Sequence, residues 1–417
     1  MIHNINKTLK DLDEKYNGTN IPFGKGLLTY INKTSSSRHM ISTSNLAQVE
    51  PLENPDIPFV RTNFEDAIGD LNTSYKKAEK NYIVVDLIRK FKNTSIENDN
   101  YILVVKDTIS GEFDVIEKKF GQSLTQSYGY EFDNSYMDDL SIGDKIAKGD
   151  VIYKSKSYDE AHNYRYGKNL RTAYLIDRDT LEDAYKISES GAKKLESTRI
   201  EDIIIPVNTN DVLLWEDENT GELKNFPDIG QNVKNNIITR TRRVMYKHSL
   251  FDFKEENLRK INLDIDEPYI ITDEGKVIDI NIYCNIDVDD IDSDYNKQLK
   301  KYAQMDKEFQ ENIIETLGKY IDNSTDKLKL FYQEAIDVLD PEVPIEYNDR
   351  PFEHIVLKIT IAKKNKLSVT DKICGRYGDK GIIGKIVPDD EMIKDENGVP
   401  LDVSTNLLSI PNRLNPG

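Results

Sequence analysis

Glycine recurs at every third position of the stretch DKICGRYGDKGIIGK, residues 371–385, namely at Gly375, Gly378, Gly381 and Gly384. Because glycine has no Cβ atom, a backbone with this pattern can approach a ligand closely. Lys372, Arg376 and Lys380 lie within nine residues of the same stretch, and lysines act as point charges on phosphate. The combination favours a loop that contacts a phosphate or a polynucleotide over a plain connection between strands.

Two other glycine-rich motifs fit this stretch less well. A P-loop requires G-x-x-x-x-G-K-[ST], but Asp379 stands where the first glycine should be and Ile386 stands where Ser or Thr should be. The G-x-x-G loop that clamps a nucleic-acid backbone is matched by GRYG, residues 375–378, although so short a motif carries little information by itself.

The charge of the chain is unevenly distributed. The net charge is −18, whereas proteins that bind nucleic acid by themselves are usually basic, because phosphate contacts dominate their affinity. Between Lys358 and Lys385, however, eight basic and two acidic residues give a local charge of +6. We expect any polyanion to bind at this basic segment, while the acidic remainder can maintain solubility or face basic partner subunits.

Composition excludes several classes of protein. The two cysteines, Cys284 and Cys374, form no C-x-x-C pair and the five histidines are scattered, which argues against a zinc site or a disulfide framework. No apolar run approaches the ~20 residues of a membrane span, and the N-terminal residues lack the apolar region of a signal peptide. We therefore expect a cytoplasmic protein without a membrane association.

The hydrophobic pattern predicts mainly strands. Strand-like segments are NYIVVDLIRKF, NYILVVKDT, IEDIIIPVN, KVIDINIYCNIDV and HIVLKITIAKK. The pattern also predicts a helical patch at 64–80 and a hairpin over LSIGDKIAKGDVIYKS. Between about 294 and 340, apolar residues at helical spacing predict two packed helices, the second ending at Pro341. The order lacks the alternation of strands and helices that marks a doubly wound sheet.

The segment KLSVTDKICGRYGDKGIIGKIVPDDEM, followed by DENGVPLDVSTNLLSIPNRLN, resembles the C-terminal active-centre region of the β subunit of multisubunit DNA-dependent RNA polymerases. The family pattern there reads approximately GDK-x-x-G-R-H-G-N-K-G-V and later L-N-P-x-x-x-P-S-R-M-N. This chain has Thr370 in place of the family glycine, Tyr377 in place of histidine, Asp379 in place of asparagine and Asn412 in place of serine. None of these departures removes a basic residue of the motif.

Earlier segments resemble the same subunit in the family's order. SSSRHMISTSNLAQVEP matches an arginine followed ten residues later by a glutamine, here Arg38 and Gln48. LSIGDKIAKGDVI with YGKNLRTAYL resembles the segment that leads into the barrel. TLEDAYKISES resembles the Asn-Phe-Glu-Asp-Ala element, which gives Glu182 and Asp183, with Leu181 in place of phenylalanine.

The resemblance implies a mixed, mainly β fold with α insertions. It would contain the double-psi β-barrel of the polymerase β subunit, further barrel-type and hybrid-type β modules, and a flap-like insertion with a helical hairpin. Four consecutive parts are implied: 1–165, an N-terminal segment with the Arg38 and Gln48 motif and barrel hairpins; 166–205, the first part of the double-psi barrel with the Glu-Asp element; 206–355, the flap-like insertion; and 356–417, the second part of that barrel with the basic glycine motif.

The resemblance also implies one cleft in which cations contact nucleic acid and nucleotide while an acidic pair approaches magnesium. The implied catalytic residues are Lys372 and Lys380 on the RNA 3′ end and nascent phosphates, Arg413 on the incoming triphosphate, and Glu182 and Asp183 near the second Mg²⁺ through water. The implied binding residues are Arg38 on the triphosphate, Gln48 on the RNA–DNA hybrid, and Arg376, which is either on the nucleic acid or structural. Adjacent strand positions point to opposite faces, so at most one of the acidic pair should approach the metal.

The catalytic Mg²⁺ is expected on an Asp triad of a β′-like partner, and the acidic run DVDDIDSD, residues 287–294, is interpreted as solvated surface. Other implied partners are an N-terminal β fragment, a promoter-specificity subunit, template DNA, RNA and NTPs. A whole β subunit is far longer, which suggests a split β subunit such as giant bacteriophages encode, active only in complex. The alternatives are a non-catalytic nucleic-acid-binding or assembly scaffold and a degenerate β remnant. Convergence of Glu182 and Asp183 with Lys372, Lys380 and Arg413 would distinguish the polymerase role from the scaffold, and retention of both lysines and both arginines speaks against the degenerate remnant.

Overall fold

The structure is a computed structural model that describes residues 23–68, 74–91, 100–118, 120–123, 129–181, 183–218, 220–234, 236–243, 255–262, 264–292, 294–348 and 350–414. Its helices are α1 (Phe23–Gly26), α2 (Ser36–Gln48), α3 (Glu65–Ile68), α4 (Ser135–Asp138), α5 (Glu189–Lys194), α6 (Glu255–Arg259), α7 (Lys297–Leu317), α8 (Asp326–Leu339) and α9 (Ser409–Asn412). Short 3₁₀ turns lie at Ile31–Lys33, Val288–Asp290 and Ile321–Asn323.

The strands outnumber the helices and most are short. They are β1 (Tyr75–Lys77), β2 (Tyr82–Arg89), β3 (Tyr101–Asp107), β4 (Phe113–Glu117), β5 (Gly121–Ser123), β6 (Gly129–Asp133), β7 (Lys145–Ile146), β8 (Val151–Ser155), β9 (Thr172–Tyr174), β10 (Ala184–Ser188), β11 (Ser197–Val207), β12 (Asp211–Glu216), β13 (Leu223–Lys224), β14 (Asn232–Val233), β15 (Asn236–Arg243), β16 (Asp266–Ile271), β17 (Gly275–Cys284), β18 (Glu346–Tyr347), β19 (Arg350–Pro351), β20 (Ile355–Asn365), β21 (Lys372–Cys374), β22 (Lys380–Val387) and β23 (Val403–Thr405).

The chain forms two compact units, each built from segments that are distant in the sequence. Unit 1 comprises Met1–Lys77, Tyr153–Thr198 and Lys364–Gly417, and unit 2 comprises Ala78–Ile152 and Arg199–Lys363. This grouping differs from the four consecutive parts predicted from the sequence, because each unit pairs strands across long sequence separations. The four-part division stays a prediction.

Unit 1 contains a mixed five-stranded sheet in the order β21-β22-β10-β23-β9. β21 and β22 form an antiparallel hairpin, β22 runs parallel to β10, and β23 runs antiparallel to β10. One face of the sheet packs Tyr185, Ile187, Ile383 and Val403 against Ala192 of α5. Residues of β22 that alternate with this buried face, such as Lys380 and Ile382, are exposed, as expected for a strand with one solvated side.

Unit 2 contains the larger core. Four-stranded sheets with the orders β4-β3-β2-β7, β11-β20-β17-β14 and β13-β12-β15-β16 form its framework. The long strands β17 and β20 pair antiparallel and bury isoleucines from both, including Ile280 and Ile359. Leu299 and Tyr302 of α7 pack on this core, while Leu317 of α7 belongs to a second cluster with α8. The helical hairpin thus covers sheet surface that would otherwise be exposed.

The predicted fold class, mainly β with α insertions, is confirmed, and the double-psi topology stays a prediction. The five strand-like segments and the two packed helices are also confirmed. Among the helices of the described residues, none is long and apolar enough to cross a membrane.

Two local predictions are wrong and one helix was missed. The helical patch at 64–80 ends at Ile68 within the described residues, and Tyr75 lies in a strand with its ring stacked 4.7 Å from that of Tyr158. The hairpin at 141–155 does not form, because Ile146 pairs with β2 instead of β8. Helix α2 escaped detection because its buried residues, His39 and Asn45 among them, are polar and leave no apolar stripe.

Candidate functional site

The basic hairpin places two predicted lysines on one exposed face. Lys372 of β21 lies opposite Ile382 of β22, and Cys374 lies opposite Lys380. Opposite residues, and residues two apart on one strand, share a face of a sheet. Both lysines are exposed, and within the residues that the structure describes neither forms an ion pair with a carboxylate. Diagonal neighbours in a sheet are usually about 7–8 Å apart, so the two exposed lysines present positive charge to an anion on the same face.

Arg413 connects the C-terminal motif to the acidic element. Its guanidinium forms an ion pair with the carboxylate of Asp183, and the two side chains are 9% and 62% exposed respectively. The same Nη2 donates a hydrogen bond to the backbone oxygen of Lys380 at 3.1 Å. Three residues predicted from separate motifs are thus brought together in unit 1, and Arg413 lies within reach of the hairpin that carries both lysines.

The glycine loop between β21 and β22 rests on helix α2, which carries Arg38. Gly378 has φ +78°, and a Cβ atom there would lie 2.6 Å from the backbone oxygen of Arg38. Arg38 Nη1 donates to the oxygen of Gly378 at 3.0 Å, and Ser42 Oγ donates to the oxygen of Arg376 at 2.6 Å. The hydroxyl of Tyr377 is hydrogen-bonded to Thr29 at 2.6 Å. The loop therefore needs glycine at 378 for both conformation and space.

Arg376 binds backbone carbonyls of unit 1. Its Nε and Nη2 donate to the oxygen of Leu27 at 3.0 and 2.7 Å, and its Nη1 donates to the oxygen of Val60 at 2.6 Å. The buried carboxylate of Glu65 lies 3.5 Å from Nη2. These contacts favour the structural alternative stated for Arg376, and its role on nucleic acid stays a prediction.

Asp379 is the acidic residue of the glycine loop. Its Oδ2 accepts a hydrogen bond from the hydroxyl of Tyr185 at 3.4 Å. Burial raises the pKa of Asp379, while backbone N–H groups and the charge of Arg413 act in the opposite direction. Sequence reasoning noted this residue only as a departure from the family pattern and did not identify Tyr185. The only indication of Asp379 in the sequence was that an acidic residue stands in an otherwise basic motif.

The structure gives fewer contacts for the remaining predicted residues, Gln48 and Glu182. Gln48 is exposed at the last position of α2, and Glu182 lies outside the described residues. Asp183 is then the one described carboxylate of the predicted acidic pair, which falls short of the several oxygen ligands that hold Mg²⁺. It fits a supporting contact to a metal held mainly elsewhere. Within the described ranges, no group of three or more His, Cys, Asp or Glu side chains is arranged to hold a metal ion.

The acidic run at 287–294 contains Asp290, Asp292 and Asp294 at the D-x-D-x-D spacing of a magnesium triad. In the structure, Oδ1 of Asp292 accepts hydrogen bonds from the backbone N–H groups of Asp294 and Tyr295, at 2.8 and 3.3 Å. Asp290 and Asp294 are exposed. The described residues of the run form local turns ahead of α7 with exposed carboxylates, in agreement with its interpretation as solvated surface.

Part of the basic segment is neutralised by ion pairs. Lys358 pairs with Asp202 at 3.0 Å, Lys385 pairs with Asp179 at 3.2 Å, and Lys363 pairs with Glu201. The local charge of +6 counted from the sequence therefore overstates the charge available for a ligand. The lysines of the hairpin are among those that remain.

Comparisons with known proteins agree with these motifs. A family model described as RNA polymerase Rpb2, domain 6, matches residues 129–417. The DNA-directed RNA polymerase subunit beta of Staphylococcus aureus strain MRSA252 is 22% identical over 429 aligned positions, which cover 94% of this chain and 29% of that protein. The same subunit of strain JH9 is 22% identical over 427 positions with the same coverage. The chain thus spans less than a third of the length of these relatives.

Proposed function

The chain belongs to the RNA polymerase Rpb2 domain 6 family, and on that premise we propose that it is a subunit of a multisubunit DNA-dependent RNA polymerase that contacts the incoming nucleotide and the RNA 3′ end. The relatives carry the name of a polymerase β subunit, which supports the polymerase assignment. The observation that supports the finer role is the convergence of Arg413, Asp183 and the Lys380 backbone beside two exposed lysines.

The lysines and the arginine suit different phosphates. Lys372 and Lys380 are compact, exposed charges on a hairpin, and they would hold RNA phosphates that stay bound through successive additions. Arg413 presents a planar fork that can bind a triphosphate in bidentate fashion. Nucleotidyl transfer depends on the positioning and electrostatic stabilisation of the reacting phosphates. Removing these charged contacts would weaken both.

Arg413 and Asp183 would exchange partners when a nucleotide binds. Without nucleotide, each neutralises the other. A bound nucleotide offers phosphate oxygens to Arg413, while the exposed carboxylate of Asp183 can turn toward the cation that accompanies the triphosphate. Mg²⁺, when bound, neutralises charge on the reacting phosphates and lowers the barrier to attack by the 3′ oxygen. Asp183 would orient it from outside its direct ligands.

Activity would require other chains. We propose a β′-like partner that supplies the main magnesium ligands, together with the other parts of the β subunit. The purified chain alone should not extend RNA, and extension should appear when these partners are added. Templated synthesis by the purified chain would contradict this proposal.

The role of Arg413 is tested by nucleotide titration of the assembled polymerase on a preformed RNA–DNA scaffold. Arg413→Ala should raise the nucleotide KM by about ten- to a hundredfold, because a charged hydrogen bond contributes roughly 1.5–3 kcal/mol. Arg413→Lys should recover part of the loss, since it keeps the charge without the fork. Arg61→Ala is the matched control, because Arg61 is an exposed arginine of the same unit. An unchanged KM in Arg413→Ala would favour the scaffold alternative.

The acidic pair is tested in the same system. Replacing Glu182 and Asp183 together by alanine should raise the Mg²⁺ and nucleotide concentrations needed for half-maximal elongation. The fold should survive, because the described carboxylate is 62% exposed. Unchanged Mg²⁺ and nucleotide dependence would contradict a role near the second metal.

A further inference from the structure

The segment that carries Arg413 buries little of its surface. It begins at Asn406, directly after β23, and runs through the short helix α9. Among residues 407–414, Ser409 alone is buried, and the three leucines of this segment are between 47% and 68% exposed. A segment with so few packed side chains depends on hydrogen bonds for its position. Such hydrogen bonds lie at its base, on Asn406.

Asn406 uses both ends of its side-chain amide. Nδ2 donates to the backbone oxygen of Thr180 at 2.9 Å, and Oδ1 accepts from the backbone N–H of Leu408 at 2.9 Å. The backbone oxygen of Asn406 also accepts from the N–H of Ser409 at 3.1 Å. Asn406 is 8% exposed and Thr180 is fully buried. Because a carbonyl can only accept and an N–H can only donate, this place requires a side chain with one donor and one acceptor.

The amide connects the two segments whose side chains form the candidate site. Thr180 lies three positions before Asp183, and the backbone oxygen of Asp183 accepts from the N–H of Ile382 at 2.9 Å. Asn406 lies seven positions before Arg413, which is the ion-pair partner of Asp183. The side chain of Asn406 therefore joins the backbone of the acidic element to the base of the arginine segment.

We propose that Asn406 is a positioning residue that keeps the guanidinium of Arg413 beside Asp183 and aimed at the incoming nucleotide. Without the bond to Thr180, the exposed arginine segment would lose its buried link to the acidic element. The fork of Arg413 would then spend less time in the position that binds a triphosphate. The inference rests on the proposed function, because that function assigns Arg413 to the triphosphate.

The test is a nucleotide titration of the assembled polymerase with two substitutions of Asn406. Asn406→Asp keeps the acceptor for the Leu408 N–H but places a carboxylate oxygen against the carbonyl of Thr180. Asn406→Ser also keeps an acceptor, since Asn and Ser support the same kind of turn, but it is too short to reach Thr180. Each should raise the nucleotide KM by about three- to tenfold, the effect of one hydrogen bond, with kcat within about twofold.

The matched control is Asn285→Asp in unit 2. The amide of Asn285 is bonded in a similar way, because Nδ2 donates to the oxygens of Ile345 and Phe352 at 3.0 and 2.9 Å and Oδ1 accepts from the Ile345 N–H at 2.8 Å. This substitution also removes a donor from backbone carbonyls, but away from the candidate site, so the nucleotide KM should stay at the wild-type value. An equal rise of KM in the control would overturn the proposal, because loss of any such amide would then suffice.

A double variant separates a positioning role from general damage. If Asn406 acts through Arg413, adding Asn406→Ser to Arg413→Ala should leave the KM of the single arginine variant unchanged. Multiplied effects would overturn the proposal. So would an unchanged KM in both Asn406 variants when Arg413→Ala raises it, and the proposed function would then still stand. If Arg413→Ala itself has no effect, the proposed function fails and this inference fails with it.

Hydrogen exchange of the full-length chain gives a readout without catalysis. In both Asn406 variants, backbone amides of residues 175–181 and of residues 405–414 should exchange several-fold faster than in wild type. Faster exchange in only one of these segments, or in neither, would overturn the proposal, because the amide would not then be joining the two. The same measurement shows whether each variant folds. Asn406→Ser decides if Asn406→Asp does not fold, and loss of the fold in both would overturn the proposal, since Asn406 would then hold the whole unit.

Discussion

Because Gly378 has no side chain, the loop between β21 and β22 can lie directly against helix α2. We predict that Gly378→Ala destabilises unit 1 well beyond the cost of its backbone conformation. The matched control is Gly398→Ala. Both glycines have φ +78°, but a Cβ atom at Gly398 would meet no atom within 4 Å, whereas one at Gly378 would lie 2.6 Å from the backbone oxygen of Arg38. The difference between the two variants therefore isolates the close approach of the loop to the helix.

The size of the difference follows from the contacts. Each alanine costs about 1–2 kcal/mol for the left-handed conformation, partly offset by about 0.4–1 kcal/mol from the less flexible unfolded chain. At 378 the alanine also has to push the loop off α2. The charged hydrogen bond from Arg38 to the Gly378 oxygen, worth about 1.5–3 kcal/mol, and that from Ser42 to the Arg376 oxygen, worth about 0.5–1.5 kcal/mol, would weaken together. We expect Gly378→Ala to cost about 2–4 kcal/mol more than Gly398→Ala.

The assay has to measure the stability of unit 1 separately from that of unit 2. Trp215, the only tryptophan, belongs to unit 2, so tryptophan fluorescence would report on the other unit. Native-state hydrogen exchange, read by mass spectrometry, follows peptides of both units in one sample. The opening free energy of peptides from α2 and the loop should fall in Gly378→Ala, while peptides of unit 2 serve as the internal reference. If the two alanine variants cost the same, the close approach of loop and helix would be refuted.

Three further predictions concern the same motif. Thr370, a β-branched residue with φ +82°, should be replaceable by glycine with a gain of about 0.5–2 kcal/mol in unfolding free energy, because relief of strain exceeds the entropic cost of glycine; chemical denaturation would show an unchanged or lower midpoint if this is wrong. Because burial raises the pKa of Asp379 above its ordinary 3.8, its contribution to stability is present below that value and is lost as the pH rises through the raised pKa. Asp379→Asn should remove this part of the pH dependence, and an identical profile in the variant would contradict it. Lys372→Ala or Lys380→Ala should weaken retention of the RNA 3′ end and lower the salt dependence of scaffold binding by about one unit of slope, whereas Lys394→Ala, an exposed lysine of the same unit, should change neither.

The sequence predicted the elements whose patterns are local. β17 and β20 are short segments rich in β-branched apolar residues, and the paired helices α7 and α8 have apolar residues at helical spacing, so their types follow from local pattern. Helix α2 could not be predicted in this way, since it is rich in serine and threonine and is stabilised by contacts with a loop more than 300 positions away. At such a site, tertiary packing outweighs the intrinsic helix propensity of the residues.

The candidate site was predictable as a set of residues but not as a set of contacts. The family resemblance pointed to Asp183, Lys380 and Arg413, but nothing in the sequence shows that Arg413 binds both of the others. That arrangement arises because β10 and β22 are parallel neighbours, with Ala184 opposite Ile382, 198 positions later in the sequence. A register of this kind depends on the pairing of strands across the whole sheet, so it cannot be predicted from any single stretch of the sequence.

The cations of the motif divide by side-chain chemistry, and this division explains how an acidic chain can present a basic site. Arg376 and Arg38 donate to backbone carbonyls, which suits a planar group with five N–H donors. Lys372 and Lys380, which gain less from such fixed geometry, stay exposed. Arg413 lies between these cases, since it is nearly buried and yet held by an exposed carboxylate. Counting charges along the sequence treats all five alike. In the structure the arginines hold the loop in place and the two lysines stay exposed. Under the proposed function, these few unpaired charges on the hairpin would bind phosphate while the chain as a whole stays at −18.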